Sequence, residues 1–349
     1  MTPLQTLLGT ELPIVQAPMA GVQLGDLTVA VSESGGLGSL PCALLDARSL
    51  EQELARIRAR TSKPINVNFF CHEPPVADAA REDAWRAALR PYYDELGLDP
   101  AKVAAGPGRA PFTAETAEVL AAFRPAVVSF HFGLPAPELL ARVRGWGAKI
   151  VSSATTVEEA RWLEARGVDA VIAQGAEAGG HRGMFLTGDL TTQLGTLALL
   201  PQVVRAVRVP VIAAGGIADA QGVAAALALG AAAVQLGTAY LLCPEATTSA
   251  IHRKALASAE AAHTALTNLF TGRPARGIVN RLIRELGPIG PAPAFPLATA
   301  AIAPLRAKAE AAGSADFSPL WAGQNVSGCK PIPAGQLTRE LASTLHAST

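Results

Sequence analysis

Short β-branched runs alternate with helix-patterned stretches along the first two-thirds of the chain. This alternation restricts the architecture more than any other feature, because strands separated by helices build parallel sheets. Eight runs occur: Pro13 to Met19, Leu37 to Cys42, Pro64 to Phe70, Ala126 to Gly133, Ala148 to Thr155, Ala170 to Gly175, Pro210 to Gly216 and Ala232 to Thr238. Between them, "SLEQELARIRART" and "TVEEARWLEARG" repeat leucine, isoleucine and alanine every three or four residues and put charge on the other face, as amphipathic helices do. Gly167 and Gly230 stand where helix C-termini are expected. Eight strand and helix units close a (β/α)8 TIM barrel, the α/β fold expected over residues 1–240, a span close to the ~250 residues usual for it. The alternative, an open doubly wound sheet, lacks its G-x-G-x-x-G fingerprint after the first strand.

Two segments break the spacing. Residues 71–111, with "CHEPP", "RPYYDELGLDP" and "GPGRAP", are too long for a simple connection and read as a lid-like excursion at a strand end. Residues 241–349 open helically in "PEATTSAIHRKALASAEAAH", turn proline-rich in "GPIGPAPAFP" and return to a helical pattern in "PLRAKAEAAG". They read as a mostly helical cap on the barrel mouth that contributes to a substrate pocket. The alanine-rich stretch Gly222 to Cys243 is long enough to suggest a membrane span, but Gly230 and Gly237 interrupt it, and a buried helix followed by a buried strand explains it better.

Half of the residues are hydrophobic, 17% are charged, and 29 lysines and arginines balance 29 aspartates and glutamates. A chain without charge blocks offers no footprint for nucleic acid or an acidic membrane, so a small molecule is the expected partner. No stable protein partner is implied. Cys42, Cys71, Cys243 and Cys329 have no metal-type spacing and read as reduced thiols in a cytoplasmic protein. The N-terminus has no basic residue ahead of its apolar part, unlike a secretory signal.

In such barrels the chemistry sits at the C-terminal ends of the strands, often with a phosphate held after strands seven and eight. The seventh run ends in Gly215 and Gly216 and the eighth in Gln235, Leu236, Gly237 and Thr238. Together these suit a phosphate grip, the alternative being two turns needed only for tight connections. Asn68, His131 and Gln174 are polar residues near strand ends where a core prefers apolar groups. The two amides could hydrogen-bond the edge of a flat heteroaromatic ring, or be satisfied by neighbouring backbone. His131 is either a core histidine or one aimed at the mouth. His181 follows the sixth strand in "AVIAQGAEAGGHRG", in a glycine loop from which it can reach a bound ligand. His72, His252, His263 and His346 are assigned surface or structural roles, with His252 alone able to face the mouth. No H-x-x-x-H, H-E-x-x-H or paired-cysteine pattern indicates a metal, and no G-x-S-x-G elbow indicates a serine hydrolase.

"QAPMAG", "INVNFF", "SFHFGLP", "AQGAEAGGHRG", "PVIAAGGIAD" and "QLGTAYLLCPEA", extended by "FTGRPARGIVN", resemble the class I nitronate monooxygenase family, formerly the 2-nitropropane dioxygenases. The resemblance implies an FMN-dependent barrel that oxidises alkyl nitronates such as propionate 3-nitronate with O2, detoxifying nitro compounds without NAD(P)H. It implies that Pro18 and Met19 border the flavin and that Asn68 and Gln174 bind it. Gly179, Gly180, Gly215, Gly216 and residues Gln235 to Thr238 complete the site. His181 matches the active-site histidine and His131 a second histidine of the pocket. A nitronate is already a carbanion equivalent, so His181 is expected mainly to position an anion, or alternatively to act as a base toward a nitroalkane. One departure concerns the tyrosines that commonly line the outer pocket: the tyrosines here are Tyr92, Tyr93 and Tyr240, and Phe295 and His252 are candidates to replace them. NADH:quinone reductases and enoyl-acyl-carrier-protein reductases share this flavin barrel and are the competing reading. A noncatalytic barrel binding a phosphorylated metabolite is a third.

Overall fold

The computed structural model describes residues 3–76, 78–103 and 109–346. All eight anticipated runs are strands: β1 (Ile14–Gln16), β2 (Gly38–Pro41), β3 (Ile65–Phe70), β4 (Val127–His131), β5 (Lys149–Ala154), β6 (Ala170–Gln174), β8 (Val211–Ala214) and β9 (Ala233–Leu236). A two-residue strand, β7 (Gly180–His181), lies in the loop after β6. The eight pair in parallel in the order β1-β9-β8-β6-β5-β4-β3-β2. Closure comes from Leu37, whose carbonyl accepts from Gln16 N and whose N–H donates to Ile14 O, each at 2.9 Å. The sheet is therefore a (β/α)8 barrel, and its strands are shorter than the sequence runs because residues such as Pro18, Met19, Gly215 and Gly216 leave the ladder to form the mouth.

Side chains alternate across a strand, and the barrel packs on both faces of its sheet in keeping with that alternation. Val15, Val127, Val151, Ala170, Ile172, Ile212 and Ala233 face inward and pack with Leu4 and Leu8 of the N-terminal helix Pro3–Leu8. Their neighbours Ile14, Val128, Ile150, Val171, Val211 and Val234 face outward against the helical layer. Helices begin at side-chain caps, Asp46 accepting from Ser49 N ahead of Ala47–Arg58 and Thr156 from Glu159 N ahead of Val157–Ala165, which satisfies otherwise unpaired N–H groups. Gly230, at φ +99°, follows the helix Ala220–Ala228. There the left-handed turn lets Ala231 N donate to Ala226 O at 3.1 Å, the closing bond of a glycine-terminated helix. The alanine-rich stretch is thus a helix, strand β9 and a 3-10 turn at Thr238–Tyr240. Among the described residues no helix is long and apolar enough to cross a membrane.

Beyond residue 240 the helices Ala250–Leu256, Ala298–Ala311 and Ala334–Leu341 are joined by an antiparallel pair that the sequence pattern did not reveal, β10 (Thr264–Thr267) and β11 (Ala275–Ile278). The loop strand β7 pairs with β11, His181 opposite Ala275 and Gly180 opposite Arg276. The excursion carries a helix, Ala79–Glu95, whose Trp85, Leu89, Tyr92 and Tyr93 form a second apolar core with Phe270, Ile302, Leu305 and Phe317. Tyr93 also donates to Ala301 O at 2.6 Å. Residues 104–108, which include the first part of "GPGRAP", and residue 77 lie outside the described residues of that excursion. The final helix turns back to the barrel wall, where Leu337 and Leu341 join the outer core.

Candidate active site

The inward parity of the strands makes the floor of the site. At the C-terminal ends of the strands the residues pointing inward are Asn68, Ser129, His131, Ser153, Gln174, Ala214 and Gln235, and all line one cavity at the barrel mouth. About 1320 Å³ of free space lies there, including its open entrance. Pro18, Met19, Gly179, Gly180, His181, Gly215, Gly216, Leu236, Gly237 and Thr238 also line it, so each catalytic and cofactor-binding candidate named from the sequence reaches this cavity, whereas Phe295 does not line it. Ser129 and Ser153, inward-facing neighbours of the polar residues, were not singled out, although strand parity alone identifies them.

The histidine loop is held from beneath. Gln174 donates through Nε2 to the carbonyl of His181 at 3.0 Å and accepts from Gly183 N at 2.7 Å. The same carbonyl lies 3.1 Å from His131 Nε2. A carbonyl can only accept, so His131 carries its proton on Nε2 and receives the Ser153 hydroxyl on Nδ1 at 3.0 Å. Both ring nitrogens of His131 are thus occupied, and burial pushes its pKa down to about 3. Arg182 is fully buried. Its guanidinium donates to Gln174 O at 2.8 Å, Gly175 O at 2.6 Å and Gln193 Oε1 at 3.0 Å. Glu159, also fully buried, accepts from Thr155 N, the Thr155 hydroxyl, Phe185 N and Leu186 N. Neither residue was anticipated; Arg182 lies in the glycine-rich loop after β6, but nothing in the sequence says that its charge turns inward.

His181 itself contacts rings on several sides: Phe295 at 5.3 Å, Trp321 at 5.6 Å, and Phe70 and Phe132 at 6.0 Å between centroids. Its Nε2 lies 3.0 Å from the Thr271 hydroxyl, which donates on to Arg273 O at 3.4 Å. In that chain Nε2 carries the proton and Nδ1 a lone pair, and Nδ1 has no hydrogen-bond partner among the described residues. Burial, followed by the charges of Arg109 and Arg273 and the neighbouring histidines, holds the pKa of His181 well below the usual value. The ring is therefore neutral at ordinary pH.

Several loop glycines are explained by protein neighbours. A Cβ on Gly179 would lie 2.5 Å from Gly323 N, and one on Gly183 would lie 2.9 Å from a ring carbon of His131. The segment Trp321 to Asn325 crosses the mouth and touches three strand-end loops. Gln324 N donates to Glu177 O at 3.0 Å, Gly323 N to Thr238 Oγ1 at 2.9 Å and Asn325 Nδ2 to Gly216 O at 3.0 Å. By contrast Gly180 (φ +70°) has open space where a Cβ would stand.

Two buried polar atoms on side chains lining the cavity have no hydrogen-bond partner among the described residues, Gln235 Oε1 and His252 Nε2. Such atoms are costly unless a ligand satisfies them. A flavin ring edge offers an N–H and carbonyl oxygens, and the residues present fit such a group. His252 does face the mouth, and burial lowers its pKa to about 4. His72 is buried behind the site rather than on the surface, His263 is exposed, and the side chain of His346 lies outside the described residues. Phe295 takes its place against His181, whereas Tyr240, Tyr92 and Tyr93 are buried in the two cores away from the cavity. Among the described residues no group of three or more His, Cys, Asp or Glu side chains is placed to hold a metal ion.

The model of the family "Nitronate monooxygenase" matches residues 1–344. The chain is 43% identical to a nitronate monooxygenase of Pseudomonas aeruginosa, covering 97% of this chain and 98% of that protein. It is 44% identical to one of Paraburkholderia phytofirmans, covering 98% and 94%. Among solved structures, a nitroalkane oxidase from Streptomyces ansochromogenes superposes with a TM-score of 0.88 at 42% identity over 99% of both chains. FabK from Thermotoga maritima superposes with a TM-score of 0.73 at 27% identity over 99% of this chain and 98% of that one.

Proposed function

The chain belongs to the nitronate monooxygenase family, and from that premise we propose that it oxidises alkyl nitronates with O2 on a bound FMN. The observation that carries the reading is a neutral His181 beside a cavity whose lining contains Arg109 and, among the described residues, no carboxylate. Such a wall favours an anion without offering it a proton. Asn68, Gln174 and Gln235 would hold the flavin ring edge. Gly179, Gly180, Gly215, Gly216, Leu236, Gly237 and Thr238 would form the phosphate end, with Pro18 and Met19 bordering the ring. The flavin supplies the redox chemistry between substrate and oxygen when bound.

His131 then acts as a positioning residue, because both of its nitrogens are spent fixing the His181 carbonyl and Ser153. The free Nδ1 lone pair of His181 makes it an acceptor. It takes a proton from carbon when the substrate arrives as a neutral nitroalkane, and an arriving nitronate needs no such step. This shifts the weight from holding an anion toward acting as a base, a role in keeping with the similarity to a nitroalkane oxidase. Oxygen uptake by the FMN-loaded protein tests the reading. Propionate 3-nitronate should support turnover without NADH, and His181→Asn should cost on the order of a hundredfold in kcat/KM with nitroethane but far less with the nitronate. Turnover that requires NADH would instead assign the chain to the reductases that share its barrel.

A further inference from the structure

Among the described residues Arg109 is the arginine that lines the cavity, and no carboxylate lines it to neutralise that charge. Its side chain is half-buried, and its hydrogen bond is a long one, 3.3 Å from Nη1 to the Thr299 hydroxyl. Among the described residues it has no ion pair. The nearby Arg306, by contrast, is paired with Glu310 at 2.7 Å. Arg273, the other cation beside His181, is already committed: it stacks 3.9 Å over Phe132 and donates to Met184 O. Arg109 lies 5.6 Å from the centroid of Phe295, the ring that also stands 5.3 Å from His181. The two groups therefore flank one aromatic side chain at the same opening.

The main chain of Arg109 is fixed as well. His72 Nε2 donates to the Arg109 carbonyl at 2.9 Å, while the His72 ring packs edge-on against Phe295 at 4.8 Å. A partly desolvated guanidinium held on a fixed main chain and lacking a carboxylate among the described residues is prepared for one supplied by a ligand, and its planar fork binds a carboxylate through two parallel bonds.

We propose that Arg109 is the specificity-determining residue of this site and that it selects nitronates bearing a second, carboxylate group, which docks on its guanidinium while the nitronate carbon meets His181. This rests on the nitronate reading above. The excursion thus contributes substrate choice, whereas the barrel contributes the floor.

Steady-state oxygen uptake with propionate 3-nitronate and with ethylnitronate, for the FMN-loaded wild type, Arg109→Met and Arg109→Lys, tests it. The ratio of kcat/KM for the carboxylate-bearing substrate over the neutral-tailed one should fall at least tenfold in Arg109→Met, carried by KM, and recover in part in Arg109→Lys. A ratio unchanged by Arg109→Met would overturn the proposal. A turnover-independent arm follows the flavin absorbance during titration with propionate. The wild type should saturate and Arg109→Met should need at least tenfold more propionate; equal titrations would overturn the proposal too. If the wild type oxidises neither nitronate yet binds propionate through Arg109, the oxidation reading fails while the carboxylate site stands.

Discussion

At the scale of single residues, the site is built on histidines that stay neutral at acidic pH, where their unfolded counterparts are charged. His131 and His252 have pKa values pushed down to about 3 and about 4, and His72 and His181 are also lowered, burial being the largest cause for each. A histidine whose folded pKa lies below the unfolded value of about 6.5 costs no stability above that pH. As the pH falls through 6.5 the unfolded chain takes up protons that the folded chain refuses, so stability drops, and the loss ends only near the folded pKa. Each such group contributes a slope of up to about 1.4 kcal/mol per pH unit in its window. The urea midpoint should therefore decrease between about pH 6.5 and pH 4, and His252→Phe, which removes one of these groups, should flatten the decrease. A midpoint constant across that range would contradict the neutral assignment.

At the scale of elements, the decisive junction is where β7 and the segment Trp321 to Asn325 meet. The loop after β6 is pinned below by Gln174, Arg182 and Glu159 and above by β11. Gly179 is the contact point, since a Cβ there would lie 2.5 Å from Gly323 N and 2.6 Å from Ala322 C. Backbone cannot yield as a flexible side chain can, so Gly179→Ala should push the crossing segment away from the proposed phosphate end of the site. FMN dissociation, followed by flavin fluorescence, should become at least tenfold easier, while the far-ultraviolet circular dichroism stays that of the wild type. Wild-type FMN affinity in Gly179→Ala would show that the crossing segment is not needed to hold the cofactor.

At the scale of the whole molecule, two apolar cores divide the labour. One is the barrel with its helical layer, to which the last helix returns. The other joins the helix of the excursion to the segment 265–317. Trp85 is buried within it. Truncating it to alanine should cost about 3–5 kcal/mol and act first on the second core. Limited proteolysis should then cut within residues 71–111 well before the barrel, whereas simultaneous loss of both regions would mean that the cores unfold as one.

The barrel was legible because its evidence is local. Eight β-branched runs, the helical repeats between them, and glycines at Gly167 and Gly230 are each specified by nearest-neighbour sterics and strand or helix periodicity. The polar residues at strand ends were legible for a related reason: an amide or imidazole in an apolar run needs a partner, and strand parity points Asn68, His131 and Gln174 into one opening. Only the tertiary structure decided what those side chains do there. Gln174 and His131 bind the His181 carbonyl, Arg182 caps the end of β6, and Gly179 makes room for the polypeptide at Gly323, each through a contact between segments distant in sequence or folded back on themselves. The β10 and β11 pair escaped notice because an antiparallel pair is stabilised by cross-strand partners that neither strand carries alone. The charge at the mouth followed the same logic, since Arg109 reads as an ordinary loop cation until folding takes away part of its water and sets no carboxylate beside it.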